Sequence, residues 1–528
     1  MISIDVLPDE VLLEIFDFYV PLVPQGLFRP LKLKGETEVW QSLVHVCRRW
    51  RSIVFGSSRR LNLRLVCSSR TPVRDTIDIW PELPLHIEVD WLNLPRLPME
   101  GSPSSSSLSG GVEDLRGGDD GDVLSSKVAD DADQKELDNI VAALERRDRV
   151  DDIRLLLSDD HHASTIEKVF AAMQEPFPKL KSLHIHARGP SVEIVTVFPD
   201  SFLAPRLQNL ELICSPFPGL PKLLLSATHL VDIHLQDIPH SGYFSPEAMV
   251  TALSTLTSLK MLFLKFVSPQ SRPDRESRRP PPLTRSILPV LTLLVLHGVI
   301  EYINDFLARI DAPRIYELVL VFFNQIVFDA PQVIQFINRT PTFKAPEKAH
   351  VAFQDDTPVV SLTYGPGYGS GFVRVGVRCT ELDWQISSME QVCTWCLPSL
   401  STLEDLYVEA TGWKADRQDN IENALWLELL QPFAVVKNLY LSEQVTPHIV
   451  PAMEELVGGR ATELLPALQN IFLRGLEASG PVQKGIEKFV AARQDSVVVS
   501  RWESDRAEEK IEEDEEDEGI EEDEIDDD

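Results

Sequence analysis

At 528 residues the chain is too long for one compact core, so two or more units or a repeat array are expected. An apolar fraction of 43% is that of a folded chain. No apolar run approaches the roughly eighteen residues of a membrane span, since the longest, Leu288 to Ile300, is interrupted by Thr292 and His297. A net charge of −32 disfavours nucleic acid as a partner, because phosphate contacts dominate such binding. Six cysteines in so long a chain do not form a disulfide framework, and Asp5, Asp9 and Glu10 replace the basic start of a secretory signal. A reducing compartment, cytoplasmic or nuclear, is therefore expected.

The first predicted element is a helix preceded by Leu7. Pro8 suits the first helical position, where its missing N–H would be unpaired anyway. Asp9 and Glu10 place negative charge at the positive end of the helix dipole. Val11, Leu12, Ile15 and Tyr19 share one face, which Leu13 and Phe16 widen. A second helix is predicted from about Trp40 to Phe55, with Trp40, Leu43, Val44, Cys47, Trp50 and Val54 on its apolar side and Gly56 as the stop. So short a segment cannot bury such wide faces within itself, and part of that surface is expected to wait for a partner.

Leu7-Pro8, Glu10, Leu12 and Ile15-Phe16, followed by Val46-Cys47-Arg48-Arg49-Trp50, resemble the F-box. That pattern opens on Leu-Pro, continues through spaced aliphatics ending in Ile-Phe or Ile-Leu, and closes on Val-Cys-x-x-Trp. The chain departs from it in an enlarged Pro- and Gly-rich loop, roughly Pro21 to Glu38, between the two halves. The resemblance implies docking onto a Skp-family linker, and through it a cullin, with the linker-binding surface on Leu7, Pro8, Val11, Leu12, Ile15, Phe16, Val46, Cys47 and Trp50. An ordinary amphipathic helical hairpin is the alternative.

Beyond this segment, Ser58-Arg59-Arg60-Leu61-Asn62-Leu63-Arg64-Leu65 and Leu85-His86-Ile87-Glu88-Val89 are similar to segments of a large group of fungal, basidiomycete-type F-box proteins. So are Asp383-Trp384-Gln385-Ile386-Ser387-Ser388-Met389 and Leu397-Pro398-Ser399-Leu400-Ser401-Thr402-Leu403-Glu404. Gly101 to Gln134, built from Ser, Gly and Asp, and Ser268 to Pro282, rich in Arg, Pro and Ser, are expected to be disordered insertions.

Between them one pattern recurs, an aliphatic followed three residues later by a second and five later by a third. It stands at Val150/Ile153/Leu155, Leu180/Leu183/Ile185, Leu207/Leu210/Leu212, Leu230/Ile233/Leu235, Leu259/Leu262/Leu264, Leu291/Leu294/Leu296 and Ile315/Leu318/Leu320. After a gap it returns at Leu403/Leu406/Val408, Val436/Leu439/Leu441 and Leu468/Ile471/Leu473. Starts lie 23 to 33 residues apart, with helical periodicity between them, as at Ile166/Val169/Phe170/Met173 and Asn420 to Leu430. The region resembles degenerate leucine-rich repeats, each coil needing its neighbours to bury its apolar face. From Glu503 onward, 18 acidic residues stand against Arg506 and Lys510, half of the chain's net charge of −32. Such a tail cannot bury a core.

The expected architecture is α/β: a helical F-box over 1–56, an irregular leucine-rich-repeat-like solenoid over 57–500 with disordered insertions near 99–134 and 268–284, and a disordered acidic tail over 501–528. Strand alternation turns the residue between the second and third aliphatics to the concave face. That column includes Arg154, Val295 and Val319, and its candidate substrate-binding members are His184, Glu211, His234, Phe263, Tyr407, Tyr440 and Phe472. A mixture of aromatic, imidazole and charged groups suits protein recognition.

Catalytic readings find less. Cys393-Thr394-Trp395-Cys396 is a lone CxxC on a predicted helix, without a second pair. His161-His162 and His184-x-His186 lack an evident ligating carboxylate nearby, and exposed histidines account for them better. Gly365 to Gly371 reads as a hairpin loop. No metal, cofactor, catalytic residue or membrane partner is expected. The resemblance implies the substrate-recognition subunit of an SCF-type ubiquitin ligase holding an unknown protein substrate, with a repeat scaffold outside any ligase as the alternative.

Overall fold

The computed structural model describes residues 7–19, 39–68, 72–77, 80, 82–90, 135, 137–158, 163–188, 201–215, 217, 219–269, 284–323, 329–365, 371–397, 400–411, 421–456, 463–474, 480–493 and 497–502. The 21–38 loop, the acidic tail beyond 502, His161-His162 and nearly all of both predicted insertions lie outside them. The chain divides into two compact units, Met1–Val267 and Ser268–Asp528.

The first unit opens with α1 (Asp9–Tyr19), α2 (Val39–Val46) and α3 (Arg48–Gly56). The Pro8 carbonyl accepts from the Leu12 amide at 3.1 Å, so Pro8 caps α1 from outside and Asp9 is the first helical residue. The single helix expected over Trp40–Phe55 is two helices. Cys47 adopts extended backbone at φ −158°, and its Sγ accepts from the Trp50 amide at 3.4 Å, starting α3 afresh. Arg51 Nε donates to the Val44 carbonyl at 3.0 Å, satisfying a group the break would leave open. The break lets Leu43 and Val44 from one helix and Ile53 and Val54 from the next converge on Leu12 and Phe16.

That core is not confined to the helices. Leu61, Leu63 and Leu83 belong to it, with Trp80 packed alongside and 5.4 Å from Trp40 between ring centroids. The chain following the helices therefore buries much of the apolar surface that the sequence left unaccounted for. Arg49–Asp9 at 2.6 Å and Arg60–Asp17 at 2.7 Å tie α1 to the segments that pack on it.

Seven parallel strands follow in chain order: β1 (Leu65–Ser68), β2 (Leu85–Asp90), β3 (Val150–Ser158), β4 (Ser182–Arg188), β5 (Asn209–Ile213), β6 (Asp232–Ile238) and β7 (Met261–Phe266). Each expected aliphatic triplet here places its second and third members in a strand and on the buried side. Leu183, Ile185, Leu210, Leu212, Ile233, Leu235, Leu262 and Leu264 are at most 3% exposed. Helices Ala163–Ala172, Leu220–Ser226 and Pro246–Leu253 return the chain, the last started by Ser245 Oγ accepting from the Ala248 amide. Strand, helix and parallel return make one coil, an architecture that resembles a leucine-rich-repeat solenoid.

The second unit holds a short pair, β8 (Ser286–Ile287) with β10 (Ile310–Asp311), and a larger sheet. The larger sheet contains β9 (Leu293–Gly298), β11 (Glu317–Phe323), β12 (Lys348–Phe353), β13 (Val359–Tyr364), β14 (Gly371–Arg378), β15 (Asp405–Ala410), β16 (Asn438–Leu441), β17 (Asn470–Leu473) and β18 (Val498–Arg501). Its order is β9-β11-β14-β13-β12-β15-β16-β17-β18. The gap in the aliphatic pattern is where β13 runs antiparallel to both β12 and β14, replacing single-strand coils. Gly365 to Gly371 joins β13 to β14 as expected of a hairpin, although 366–370 lie outside the described residues. Gly371 needs its missing side chain, since a Cβ there would stand 2.7 Å from the Thr342 carbonyl oxygen.

Arginines close the loops between coils. Arg149 donates to the Leu83 carbonyl, Arg339 to Leu307 and Ile310, and Arg493 to Leu464, Leu465 and Pro466. Among the described residues no helix is long and apolar enough to cross a membrane.

Phe16 is fully buried and its ring lies 4.9 Å from that of Trp50. Phe16→Ala should cost about 3–5 kcal/mol of local stability. Hydrogen exchange should accelerate across 9–19 and 39–56 and leave β4 to β7 protected; unchanged exchange in the helices would contradict this packing.

Candidate functional site

The residues expected to form the linker surface separate into two sets. Leu12 and Phe16 are 0% exposed and shape that surface from beneath, without reaching it. Val11 and Val46 are exposed at 41% and 59%, Pro8 is exposed, and Leu7, Ile15, Cys47 and Trp50 are partly buried. Phe18, which the sequence reading did not single out, is 89% exposed on α1. Its position two residues after Phe16, off the buried face, was the available signal. Arg49 Nη2 donates to the Leu7 carbonyl at 2.5 Å, holding the entry to α1 against α3.

In the first unit, strand register assembles residues far apart in sequence on the sheet face opposite the aliphatic core. Glu88, Arg154, His184, Glu211, His234 and Phe263 are successive register partners from β2 to β7. His184 Nδ1 lies 2.7 Å from Glu211 Oε2, and His186 Nε2 lies 3.1 Å from Glu211 Oε1. Glu211 is the carboxylate missing beside the His-x-His pair in the sequence, where it stands a whole repeat away. Burial pushes Glu211 up, but bonds from the two imidazoles outweigh it and hold the carboxyl well below its ordinary range. Among the described residues no three His, Cys, Asp or Glu side chains are placed to hold a metal.

A second ionic cluster lies on the preceding strands. His86 Nδ1 is 3.1 Å from Asp152 Oδ2, with Arg64 at 3.6 Å and Arg154 at 3.7 Å from the same carboxylate. His234 departs from expectation. It is 8% exposed, with its ring 4.2 Å from that of Phe263 and Nε2 3.2 Å from Gln236 Oε1. Burial pushes its pKa down. His234 therefore supports the face from within, as does Val295 in the second unit at 7% exposure.

In the second unit the same register builds an aromatic row. His350, Tyr407, Tyr440, Phe472 and Ser500 are successive partners across β12, β15, β16, β17 and β18. Tyr407 and Tyr440 stack at 4.2 Å and 8°, and Tyr440 and Phe472 at 4.5 Å and 9°. The Trp502 ring stands edge-on to both tyrosines, at 5.6 and 5.5 Å, and carries Arg474 at 5.8 Å from its centroid. None of these four rings is fully buried. Trp502 and Arg474 complete the cluster. Trp502 stands outside the positions read from the aliphatic triplets because it follows β18, a strand the triplets do not mark.

Cys393 and Cys396 lie in and just after the helix Leu382–Trp395; both are free and buried. Burial pushes both thiols up, Cys396 to about 12, so they stand protonated in the core.

The Asp152–His86 pair has a calculable pH signature. Burial raises Asp152, but hydrogen bonding and charge from His86 outweigh it, bringing the carboxyl to about 2. Burial lowers His86, and Asp152 and Glu88 outweigh that, raising it. A depressed carboxyl stabilises above its unfolded value of about 3.9 and loses that contribution as pH falls toward 2. A raised imidazole stabilises below about 6.5 and loses its share as pH rises through the folded value. The pair should thus contribute most between about pH 4 and 6.5, roughly 2 kcal/mol from the carboxyl. Denaturant unfolding of Asp152→Asn should show its largest deficit there and converge on wild type near pH 2; a deficit constant from pH 2 to 8 would contradict the pairing.

No protein-family model matches this chain. No curated protein sequence matches it. Among solved structures, it is similar to the leucine-rich repeat-containing protein LegL7 from Legionella pneumophila, with a TM-score of 0.26 and 11% identity over 67% of this chain and 94% of that one. The solenoid character described above rests on the strand register of this chain.

Proposed function

We propose that this protein is the substrate-recognition adaptor of an SCF-type cullin-RING ubiquitin ligase. In this reading α1 to α3 dock a Skp-family linker, and through it a cullin, while the open sheet faces hold a protein substrate. The protein is then a non-catalytic subunit of the cytoplasm or nucleus, and ubiquitin transfer belongs to other subunits. The observation that carries the reading is the exposure of Val11, Phe18 and Val46 on a helical module whose own core is already closed. Apolar side chains left outside a complete core are a liability in a free molecule and an anchor in a complex. The Leu7-Pro8 and Val46-Cys47-x-x-Trp50 resemblance supplies the identity of the linker.

A second reading, a repeat scaffold that binds proteins outside any ligase, is favoured by the open faces alone. The register-built rows of both units need no linker to present themselves.

The two readings separate in a pull-down with a Skp-family linker. The wild-type chain should capture it, and Val11→Asp/Val46→Asp, altered only at exposed positions, should lose at least about tenfold in recovery while keeping its circular dichroism spectrum. Equal recovery of both proteins, or of neither, would leave the scaffold reading standing.

A further inference from the structure

We propose that the open face of the second unit at Asp405, Tyr407, Tyr440 and Phe472 seats basic side chains of an extended polypeptide, arginine above all. The alkyl stem lies on the aromatic row and the cationic head meets the Asp405 carboxylate. This deepens the reading of that face as a recognition surface and does not depend on linker docking by the helical module.

The first support is a polarised ladder. Asn470 Nδ2 donates to Asn438 Oδ1 at 2.7 Å, and Asn438 Nδ2 donates to Asp405 Oδ1 at 2.7 Å. These three residues are register partners one position pair before the aromatic row, so the ladder runs beside the stack. Each amide spends one of its two N–H donors on the next strand and the chain ends on the Asp405 carboxylate. The neighbouring acids have basic partners: Glu409 lies 3.1 Å from His350, and Glu404 lies 2.5 Å from Lys437. Among the described residues Asp405 has no cation within ion-pair distance; its recorded partner is the neutral Asn438 amide.

The second support is the stack itself. Its three rings lie parallel and face to face, so the row presents ring edges, along which a long alkyl stem can lie beside the Tyr407 and Tyr440 hydroxyls. Asp405, Tyr407 and Glu409 alternate onto one face, so a side chain laid across the row from the Tyr407 side brings its head to Asp405. Arg474 stands on the other side of the row, over Trp502, and the exposed Lys348, register partner of Asp405 on β12, makes no ion pair with that carboxylate. Burial above all, then Tyr440 and Asp405, push the Tyr407 hydroxyl up. The net charge of −32 adds long-range attraction for a basic partner.

The test uses the full chain and fluorescein-labelled peptides of equal length built from Ser-Arg, Ser-Lys or Ser-Glu repeats, read by anisotropy at two ionic strengths. Ser-Arg should bind most tightly and Ser-Glu not at all. Asp405→Asn, which keeps the ladder's shape, should weaken Ser-Arg about tenfold and flatten its salt dependence. Tyr440→Ala should weaken it several-fold and Tyr440→Phe should retain it. Wild-type affinity in both Asp405→Asn and Tyr440→Ala would assign the binding to acidic residues elsewhere and overturn the proposal. Preference for Ser-Glu, or no binding of Ser-Arg by wild type, would overturn it equally. Linker capture, measured on the same proteins, should be unchanged in Asp405→Asn; a failure of capture with peptide binding intact would remove the adaptor reading and leave this one.

Discussion

Parallel pairing of strands that keeps the aliphatic columns in register is the constraint on which most of this molecule depends. Because side chains alternate along a strand, a slip of one residue would turn every buried leucine to solvent. Leu183, Leu210, Ile233 and Leu262 are register partners from β4 to β7, as are Leu406, Leu439 and Ile471 from β15 to β17. Each aliphatic column is therefore continuous, and no coil can bury its part of the column alone. Helices and arginine-closed loops fit between strands whose spacing the columns have already set.

The same register determines what stands on the opposite face. Any residue one position from a buried aliphatic gains as neighbours the equivalent residues of adjacent coils. In the first unit this gathers ionic groups, with Glu211 bridging His184 and His186, and Asp152 among His86, Arg64 and Arg154. In the second unit it gathers rings into a stack and amides into a ladder. These side-chain clusters are thus assembled across the strands, one residue per coil, and not along any contiguous motif. The antiparallel β13 is the exception in topology yet keeps register, so Ser361 and Arg374 continue the same row.

The helical module obeys a different constraint, closure of a small core. Three helices alone would leave Leu12, Phe16 and Trp40 inadequately covered, and Leu61, Leu63, Trp80 and Leu83 complete the packing. Once that core is closed, the apolar groups that remain outside it, Val11, Phe18 and Val46, gain meaning, because burial within the module no longer accounts for them. Of the residues the F-box resemblance brings forward, those at the surface and those beneath it have different tasks, which only the packing separates.

The aliphatic period determined by itself that parallel coils would form, where most strands would lie and which of their faces would be buried, since burying one side of a strand leaves a period-two trace in composition. It left β12 to β14 unmarked, because a hairpin inserted between coils breaks the spacing on which the reading relied, and β1, β2 and β18 lie outside the aliphatic triplets. It also named His184, Glu211, Tyr407, Tyr440 and Phe472 as a column without revealing which would touch. Contact across strands depends on register, which no single strand encodes. Tertiary structure alone decided that Glu211 serves two histidines, that His234 and Val295 withdraw from the face, and that Asp405 ends a ladder of amides. It also decided that Cys47 divides a helix the hydrophobic period ran straight through. A helix breaks where a cap and a core both gain from it, and that balance is settled by packing partners tens of residues away.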